Sequence, residues 1–519
     1  MDTKALRQKI LDLAIRGKLV PQDPNDEPAS VLLERIREQK KQMVKEGKLK
    51  AKDIKNDSVI FVGVDNLHYE KFADGSVKCI EDEIPFDLPE GWMWARIGAI
   101  CIINPRNSIA DDLEVSFIPM PMISEGYANA HTYEVRNWKN VKSGFTHFAE
   151  NDIGIAKITP CFENRKSVIF KNLVNGYGAG TTELHILRTL AGTISNEYLL
   201  WIVKMESFIQ GGIQTFSGAV GQQRVGKDFL SQYLIPIPPY NEQIRIIDKI
   251  NLIFNFIITI ENEKISLHET IKQTKSKILD LAIRGHLVPQ NPDDEPASVL
   301  LDRIRAEKEE LIRQGKIKRD KKESIIFKGE DNSYYEKIGD KAENINTEIP
   351  FDLPDDWEFV RLKEIWELIS GRDLSPSEYN ADGAGIPYIT GASNFINGKV
   401  ELVRWTASPQ VLTEVGDLLL TCKGTIGEMA FNDFGPAHIA RQIMAIRNIY
   451  GLNAKYLALC MDFYMYKIKD AAKGLIPGIS REDILNLILP IPPEQHQTQV
   501  VHQVEKINRI LSSIEKSLS

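Results

Sequence analysis

Residues 9–37, KILDLAIRGKLVPQDPNDEPASVLLERIR, return as residues 277–305, KILDLAIRGHLVPQNPDDEPASVLLDRIR. The shift is constant at 268 positions, and only four of the 29 positions differ. A repeat of this fidelity indicates an internal duplication. The chain therefore consists of two related halves, and the differences between the halves carry the functional information.

Two further shared segments frame a divergent region in each half. EIPFDLPEGW at residues 83–92 corresponds to EIPFDLPDDW at 348–357, and a segment ending in PIPP recurs at 225–239 and 479–493. Prolines on both sides of an acidic turn indicate a rigid hinge. Between hinge and PIPP the halves share no convincing alignment, and both contain short β-branched and aromatic runs with Gly and Asn turns. The sequence therefore predicts two unlike, mixed domains inserted at equivalent points of a repeated scaffold.

A long helix with heptad spacing follows each PIPP segment. Between positions 246 and 281, nine of eleven positions at alternating steps of four and three are apolar, which is typical of a coiled coil. The second copy stops at the end of the chain, and its missing turns lie at the N-terminus, where Ile10 is the counterpart of Ile278. The expected seam residues are Ile246, Ile250, Ile253, Ile257, Ile260, Leu267, Ile271, Ile278, Leu281, Val500, Val504, Ile507, Leu511, Ile514 and Leu518.

These patterns predict an α+β fold with two mixed α/β domains separated by long antiparallel coiled-coil helices. An internal pseudo-two-fold and a cyclic organisation, in which the chain ends meet, are part of this prediction. The expected boundaries are 1–91 for an N-terminal helical scaffold, 92–239 for the first inserted domain, 240–356 for a central region with the long helix, 357–493 for the second inserted domain and 494–519 for a C-terminal coiled-coil helix.

Composition narrows the class of protein. The five cysteines are scattered without a CxxC pair, and no segment resembles an export signal or a membrane span, so we expect a reduced cytoplasmic protein. The net charge is −8; residues 92–239 carry 13 basic against 12 acidic side chains, and residues 357–493 carry 13 against 15. Neither inserted domain is basic enough to bind nucleic acid tightly through charge alone.

The repeated ILDLAIRG block, the two divergent domains that each close in PIPP, and the heptad helices resemble the DNA-specificity subunit of type I restriction-modification systems. The resemblance covers essentially the whole chain. It implies that each divergent domain is a target-recognition domain reading one half of a bipartite DNA site. The helices would then set the unread spacer and dock the other subunits.

The resemblance also implies the partners and the division of chemistry. The expected partners are double-stranded DNA, two modification (methyltransferase) subunits and the restriction (translocase and endonuclease) subunits. This chain would bind no cofactor, whereas the complex would use S-adenosylmethionine, ATP and Mg through its partner subunits. Two nearly identical scaffolds suit two copies of one partner, and two unlike inserts suit two different base sequences.

Candidate DNA contacts lie in loops that leave predicted strands. KITPCFENRK at 157–166 resembles the family's AKITPCFENGK segment and departs from it at Arg165, where glycine is usual, while the loop at 181–182 resembles another family stretch. Such side chains read base edges in the major groove, but they can equally hold phosphates or be solvated turn residues. The candidates are Lys157, Thr159, Glu163, Asn164, Arg165, Lys166, Thr181, Thr182, Lys423, Thr425, Arg441 and Gln442.

Patterns that would make the chain an enzyme are weak. The PPY sequence at 238–240 is similar to the (Asn/Asp)-Pro-Pro-Tyr motif of amino-methyltransferases, but Ile237 cannot accept a hydrogen bond from a target amino group. Asp152, Glu163 and Arg165 suggest a nuclease cluster only faintly, since such patterns arise freely in a chain with 26% charged residues. We therefore expect no catalytic residue and no metal site. The alternatives are a nuclease or DNA methyltransferase in its own right, and a coiled-coil adaptor without a DNA role.

Overall fold

The structure is a computed structural model that describes residues 2–219, 221–320, 323–396, 398–471 and 478–518, with the backbone alone at 466–471. The chain forms two compact units, Met1–Glu263 and Lys264–Ser519. Each unit contains one copy of the repeated block and one divergent domain.

Two helices of the repeated block open the first unit, α1 (Thr3–Ile15) and α2 (Ala29–Lys45). Gly17 ends the first helix with a φ of +64°, and a Cβ at this position would lie 2.4 Å from Cγ of Pro89 in the hinge. Gly285 repeats the arrangement with a φ of +74° and Pro354 at 2.6 Å. Only glycine supplies both the left-handed conformation and the close approach, so the repeated IRG sequence fixes the hinge onto the scaffold.

The remaining elements of the first unit follow in chain order. They are β1 (Ser58–Val62), β2 (His68–Phe72), β3 (Val77–Cys79), β4 (Met93–Arg96), α3 (Ile97–Ile100), β5 (Ile102–Ile103), β6 (Glu114–Ile118), β7 (Glu134–Asn137), β8 (Thr146–Ala149), β9 (Ile153–Ala156), β10 (Ser167–Ile169), β11 (Tyr177–Gly180), β12 (Leu184–Arg188), α4 (Asn196–Val203), α5 (Glu206–Gln214), α6 (Lys227–Gln232) and β13 (Leu234–Ile237), and the long helix α7 (Tyr240–Ile283) starts here and ends in the second unit.

The second unit continues with the counterparts of these elements. They are α8 (Ala297–Arg313), β14 (Ser324–Lys328), β15 (Tyr334–Ile338), β16 (Lys341–Asn344), β17 (Glu358–Arg361), α9 (Leu362–Ile365), β18 (Glu367–Ser370), β19 (Ile386–Ile389), β20 (Phe395–Ile396), β21 (Lys399–Val400), β22 (Trp405–Thr406), β23 (Leu418–Thr421), β24 (Met429–Phe431), β25 (His438–Ile439), β26 (Ile443–Arg447), α10 (Ala454–Ala471), α11 (Arg481–Leu485), β27 (Ile488–Ile491) and α12 (Glu494–Leu518).

A two-stranded sheet closes the base of each divergent domain. β13 pairs with β4 and β27 pairs with β17, both antiparallel, so the chain enters and leaves the domain on neighbouring strands. Arg96 at the end of β4 donates to the carboxylates of Glu70 and Glu83 at 2.8 and 2.6 Å. Arg361 repeats these bonds with Glu336 and Glu348 at 2.7 and 2.8 Å. The pairs tie the small three-stranded sheets β1–β2–β3 and β14–β15–β16 to the domain base.

The main four-stranded sheets of the two divergent domains share one topology, although the sequences of the domains do not align. The sheet order β10-β9-β12-β5 in the first domain corresponds to β24-β23-β26-β18 in the second. Each domain also has one parallel strand pair, β6 with β11 and β19 with β25. A buried aspartate precedes the central strand in both, and it binds an arginine at the end of the neighbouring strand: Asp152 with Arg188 at 2.7 Å, and Asp417 with Arg447 at 2.8 Å.

The helix pairing within each unit is antiparallel, as the sequence predicts. In the first unit Arg7 binds Glu261 at 2.8 Å while Gln22, past the end of α1, donates to Glu242 at 3.0 Å. In the second unit Lys275 binds Glu515 at 2.8 Å, while Gln290, past the end of α7, lies 3.5 Å from His496 near the start of α12. Opposite ends of the two helices thus meet in each pair.

The seam is buried along most of its length and open in its middle. Ile246, Ile250, Ile257, Ile271, Ile278, Val500 and Val504 are all less than 9% exposed. Ile260, Leu267 and Ile514 are 46%, 38% and 38% exposed, so the continuous seam expected from the heptads is interrupted.

One buried position of the repeat differs in kind between the units. Glu242 is 1% exposed and accepts hydrogen bonds from Gln22 and from the Trp92 indole, the latter at 2.9 Å. Its counterpart His496 is 0% exposed, and the Trp357 indole donates instead to Gln290 at 2.9 Å. Burial raises the pKa of Glu242 and lowers that of His496.

Candidate functional site

Three loops of the first domain meet beside the end of β9. The Lys157 amide donates to the carbonyl of Glu183 at 2.9 Å, and the Val225 amide donates to the carbonyl of Lys157 at 2.9 Å. The Thr159 amide also donates to the carbonyl of Gln223 at 3.0 Å. Residues 157–166, 181–183, 217–219 and 221–225 are therefore one surface, here called the first loop cluster.

The second domain builds the same arrangement at the end of β23. The Cys422 amide donates to the carbonyl of Gln442 at 2.8 Å, and the Ile479 amide donates to the carbonyl of Cys422 at 2.8 Å. Residues 422–428, 440–442 and 478–480 form this second loop cluster. The structure thus brings together the two candidate loops that the sequence places far apart in each domain.

All four candidates of the second domain are exposed: Lys423, Thr425, Arg441 and Gln442. Asp373 holds Arg441 in place, because its carboxylate accepts from the Arg441 amide at 3.1 Å and from its guanidinium at 2.6 Å. The Arg441 side chain remains 67% exposed. A guanidinium has several N–H donors, so Arg441 can also donate to a second acceptor.

The candidates of the first domain differ in accessibility. Asn164 and Thr182 are exposed, whereas Lys157, Glu163, Lys166 and Thr181 are half-buried. Thr159 is half-buried as well, and its hydroxyl has no hydrogen-bond partner among the described residues.

Arg165 lies on the inner side of its loop. It is 7% exposed, and its φ of +55° lies in the left-handed region that favours glycine, the residue usual at this position of the family segment. Its guanidinium donates to the carbonyl of Lys204 at 3.0 Å and forms an ion pair with Glu206. These internal contacts make Arg165 a residue that positions the loop.

A fully buried lysine also holds this loop in place through hydrogen bonds to backbone carbonyls. The ammonium of Lys204 donates to the carbonyls of Gly126 at 2.7 Å and Arg165 at 3.1 Å, and the Gly126 amide donates to the carbonyl of Asn164 at 2.8 Å. Burial, followed by the charge of Arg165, lowers the pKa of Lys204 to about 7. Gln8 of α1 accepts from the Glu206 amide at 2.7 Å, so the scaffold helix is connected to this support.

The segments 217–219 and 221–225 were not among the sequence candidates. Gln222 is exposed, Gln223 and Arg224 are half-buried, and Arg224 binds Glu183 at 2.8 Å, which lowers the pKa of that carboxyl. Gln and Arg are residues that read adenine and guanine. The QQR sequence immediately before the shared VGKDF segment was the available signal.

The enzyme-like patterns have structural roles. The PPY sequence links β13 to α7, and Ile237 before it is 0% exposed. Asp152 is buried against Arg188, not grouped with Glu163. Within the described ranges, no group of three His, Cys, Asp or Glu side chains could hold a metal ion. No helix in the same part of the chain is long and apolar enough to cross a membrane.

Comparison with known proteins agrees with these observations. The family model of the type I restriction modification DNA specificity domain matches residues 89–269 and 354–519. The type I restriction enzyme EcoEI specificity subunit of Escherichia coli is 33% identical over 99% of this chain and 90% of its own length. The EcoAI specificity subunit of the same organism is 32% identical over 97% and 88%.

Two solved structures share the fold. The HsdS subunit from Thermoanaerobacter tengcongensis superposes with a TM-score of 0.55 at 17% identity, covering 84% of this chain and 93% of that one. A chain from a type I R-M system solved for its complex assembly and conformational transition gives a TM-score of 0.58 at 18% identity, covering 84% and 94%.

Proposed function

The chain belongs to the family of type I restriction-modification specificity subunits, and we propose that its two loop clusters are the surfaces that read the two halves of a bipartite DNA target. One observation carries this proposal. Equivalent backbone hydrogen bonds assemble both clusters, while the side chains that the clusters expose are unlike. A common frame with different side chains is what reading two different base sequences requires.

The exposed side chains suit direct readout of base edges. Arg441 and Gln442 of the second cluster, and Asn164 and Gln222 of the first, offer the guanidinium and amide groups that pair with guanine and adenine. Each good bidentate contact discriminates against a wrong base by about 1–3 kcal/mol. Lys423, Lys157 and Lys166 would hold phosphates and fix the register on the duplex.

The charge balance supports a reader that depends on partners. The first divergent domain carries 13 basic and 12 acidic side chains and the second 13 and 15. Since counterion release from phosphates supplies much of the affinity for DNA, the lone chain binds DNA weakly. Two modification subunits complete the clamp on the duplex, and restriction subunits join them. S-adenosylmethionine, ATP and Mg act in those partners.

A domain exchange tests the modular reading. Residues 97–233, the segment between β4 and β13, are replaced by the corresponding segment of the EcoEI specificity subunit, and the methylated motif is determined by sequencing host DNA. We expect one half-site to change while the other half-site is kept. A change in both half-sites, or in neither, would refute the proposal.

A second test distinguishes a non-catalytic DNA-recognition subunit from an enzyme in its own right. The purified chain is incubated with S-adenosylmethionine and DNA carrying the target, and methyl transfer and strand cleavage are measured with and without the modification subunits. We expect activity only in the complex. Turnover by the lone chain would support the alternative of a methyltransferase or nuclease.

A further inference from the structure

A cavity of about 320 Å³ opens on the first unit between α1, the hinge, α4–α5 and β13. A cavity of about 150 Å³ is enough to accept benzene, so this one has room for a phenol or an indole. Its rim includes Asp12 and Arg16 of the repeated block, and its apolar lining includes Phe86, Trp94, Met205 and Leu234. The Arg16 guanidinium lies 4.4 Å from the Phe86 ring centroid and bonds to Asp12 at 2.8 Å, which keeps the rim ordered.

Two equivalent tyrosines align a helix of the second unit with the helix beside this cavity. The Tyr198 hydroxyl donates to the carbonyl of Pro236 at 3.0 Å, and the Tyr456 hydroxyl donates to the carbonyl of Pro490 at 3.1 Å. Tyr198 lies in α4, which follows β12, and Tyr456 lies in α10, which follows β26, so the two helices are in register at these positions. Past these positions α4 ends at Val203, whereas α10 continues to Ala471 and carries Phe463 and Tyr464.

Those two aromatic residues contact the counterparts of the cavity walls. The Phe463 ring packs edge-on against Phe351, the counterpart of Phe86, with centroids 5.8 Å apart. The Tyr464 hydroxyl donates to the carbonyl of Ile488, the counterpart of Leu234. Phe351 is accordingly 8% exposed, whereas Phe86 is only half-buried. The second unit therefore places two rings of its own against the counterparts of walls that line the open cavity in the first.

We propose that this cavity receives an aromatic side chain of the modification subunit that docks on the first copy of the scaffold. The inference rests on the proposed function, in which two copies of one partner bind the two repeats. An apolar floor with an ordered charged rim is the form of a pocket that anchors an interface. The occupant is aromatic because the second unit places a phenyl and a phenol ring against the counterparts of the same walls. The two docking sites are then unequal, and the partner anchors its ring only at the first.

The first experiment asks whether the cavity binds a ring. The full chain is titrated with indole and with 4-methylphenol, and binding is followed by ligand-observed NMR. We expect saturable binding that Met205→Phe removes, because this variant puts a ring into the cavity lining. Ser207→Trp is a second filler that leaves the ion pair of Glu206 intact, and Gln214→Trp adds a ring at an exposed position of the same helix outside the cavity lining as a control. Equal binding to wild type and both fillers, or none to wild type, would overturn the proposal.

The second experiment measures the partner. Binding of the modification subunit to wild type and to the three variants is titrated and counted by native mass spectrometry. We expect the fillers to weaken one of the two binding events roughly 30-fold, the loss typical of one anchoring side chain, while Gln214→Trp behaves as wild type. Unchanged binding, or equal weakening at both sites, would overturn the inference and leave the specificity assignment standing. Failure of the wild-type chain to bind any modification subunit would instead refute the proposed function.

Discussion

Replacing Lys204 with methionine should remove a pH dependence from the stability of the first unit. The Lys204 side chain is fully buried, and its pKa falls from the usual 10.5 to about 7. Between these values the unfolded chain binds the proton that the folded chain has lost, so stability rises with pH. From pH 6 to pH 9 the wild type gains about 2.6 kcal/mol relative to the methionine variant.

The measurement is urea unfolding of both proteins at four values from pH 6 to pH 9, followed by tryptophan fluorescence. The variant also loses two hydrogen bonds to buried carbonyls, which lowers its stability by a constant amount at all pH values. Lys139→Met, at an exposed position, serves as the control and should follow the wild type. If wild type and Lys204→Met show the same slope against pH, the account of a buried amine that deprotonates on folding is wrong.

Three further outcomes follow from the described contacts. Arg441→Ala should weaken discrimination at one base of the second half-site by about 1–3 kcal/mol, measured by DNA binding of the complex to single-base variants of the target. Arg7→Ala should cost about 1 kcal/mol near neutral pH, an amount discounted because Glu261 is 36% exposed. Arg7 lowers the Glu261 pKa to about 2, so this cost should fade as urea unfolding is repeated from about pH 4.5 down to pH 2. Deletion of residues 2–16 uncovers the first part of the α7 seam and should reduce binding of modification subunits in pull-down assays, and unchanged binding would contradict the cyclic organisation.

The repeated block was predictable because its structure is local. The glycine after IR ends a helix in both copies, and heptad spacing marks the helix that follows PIPP, so helices and hinges follow from short-range chemistry. The common topology of the divergent domains was not predictable, because it depends on strand pairings between distant segments. The Asp152–Arg188 and Asp417–Arg447 pairs show the equivalence only after folding, since their separations in sequence differ.

The candidate site, like the fold, was predictable from the sequence only in part. Loops 157–166 and 181–183 of the first domain were recognisable by composition, but nothing in the sequence states that they are hydrogen-bonded neighbours. Arg165 was a reasonable candidate from its charge, yet its left-handed backbone turns it inward onto Lys204 and Glu206. Gln222 was missed because a glutamine beside glycines resembles an ordinary turn.

Glu242 and His496 occupy equivalent buried positions, and they make the stability of the two units depend on pH in different ways. The pKa of His496 is lowered, so the second unit loses stability as pH falls through the ordinary histidine range near 6.5, where the unfolded chain takes up the proton. The pKa of Glu242 is raised, so the folded first unit binds a proton before the unfolded chain does, and mild acid favours it. Two copies with the same backbone therefore respond to acid in opposite senses, and acidification lowers the stability of the second unit relative to that of the first.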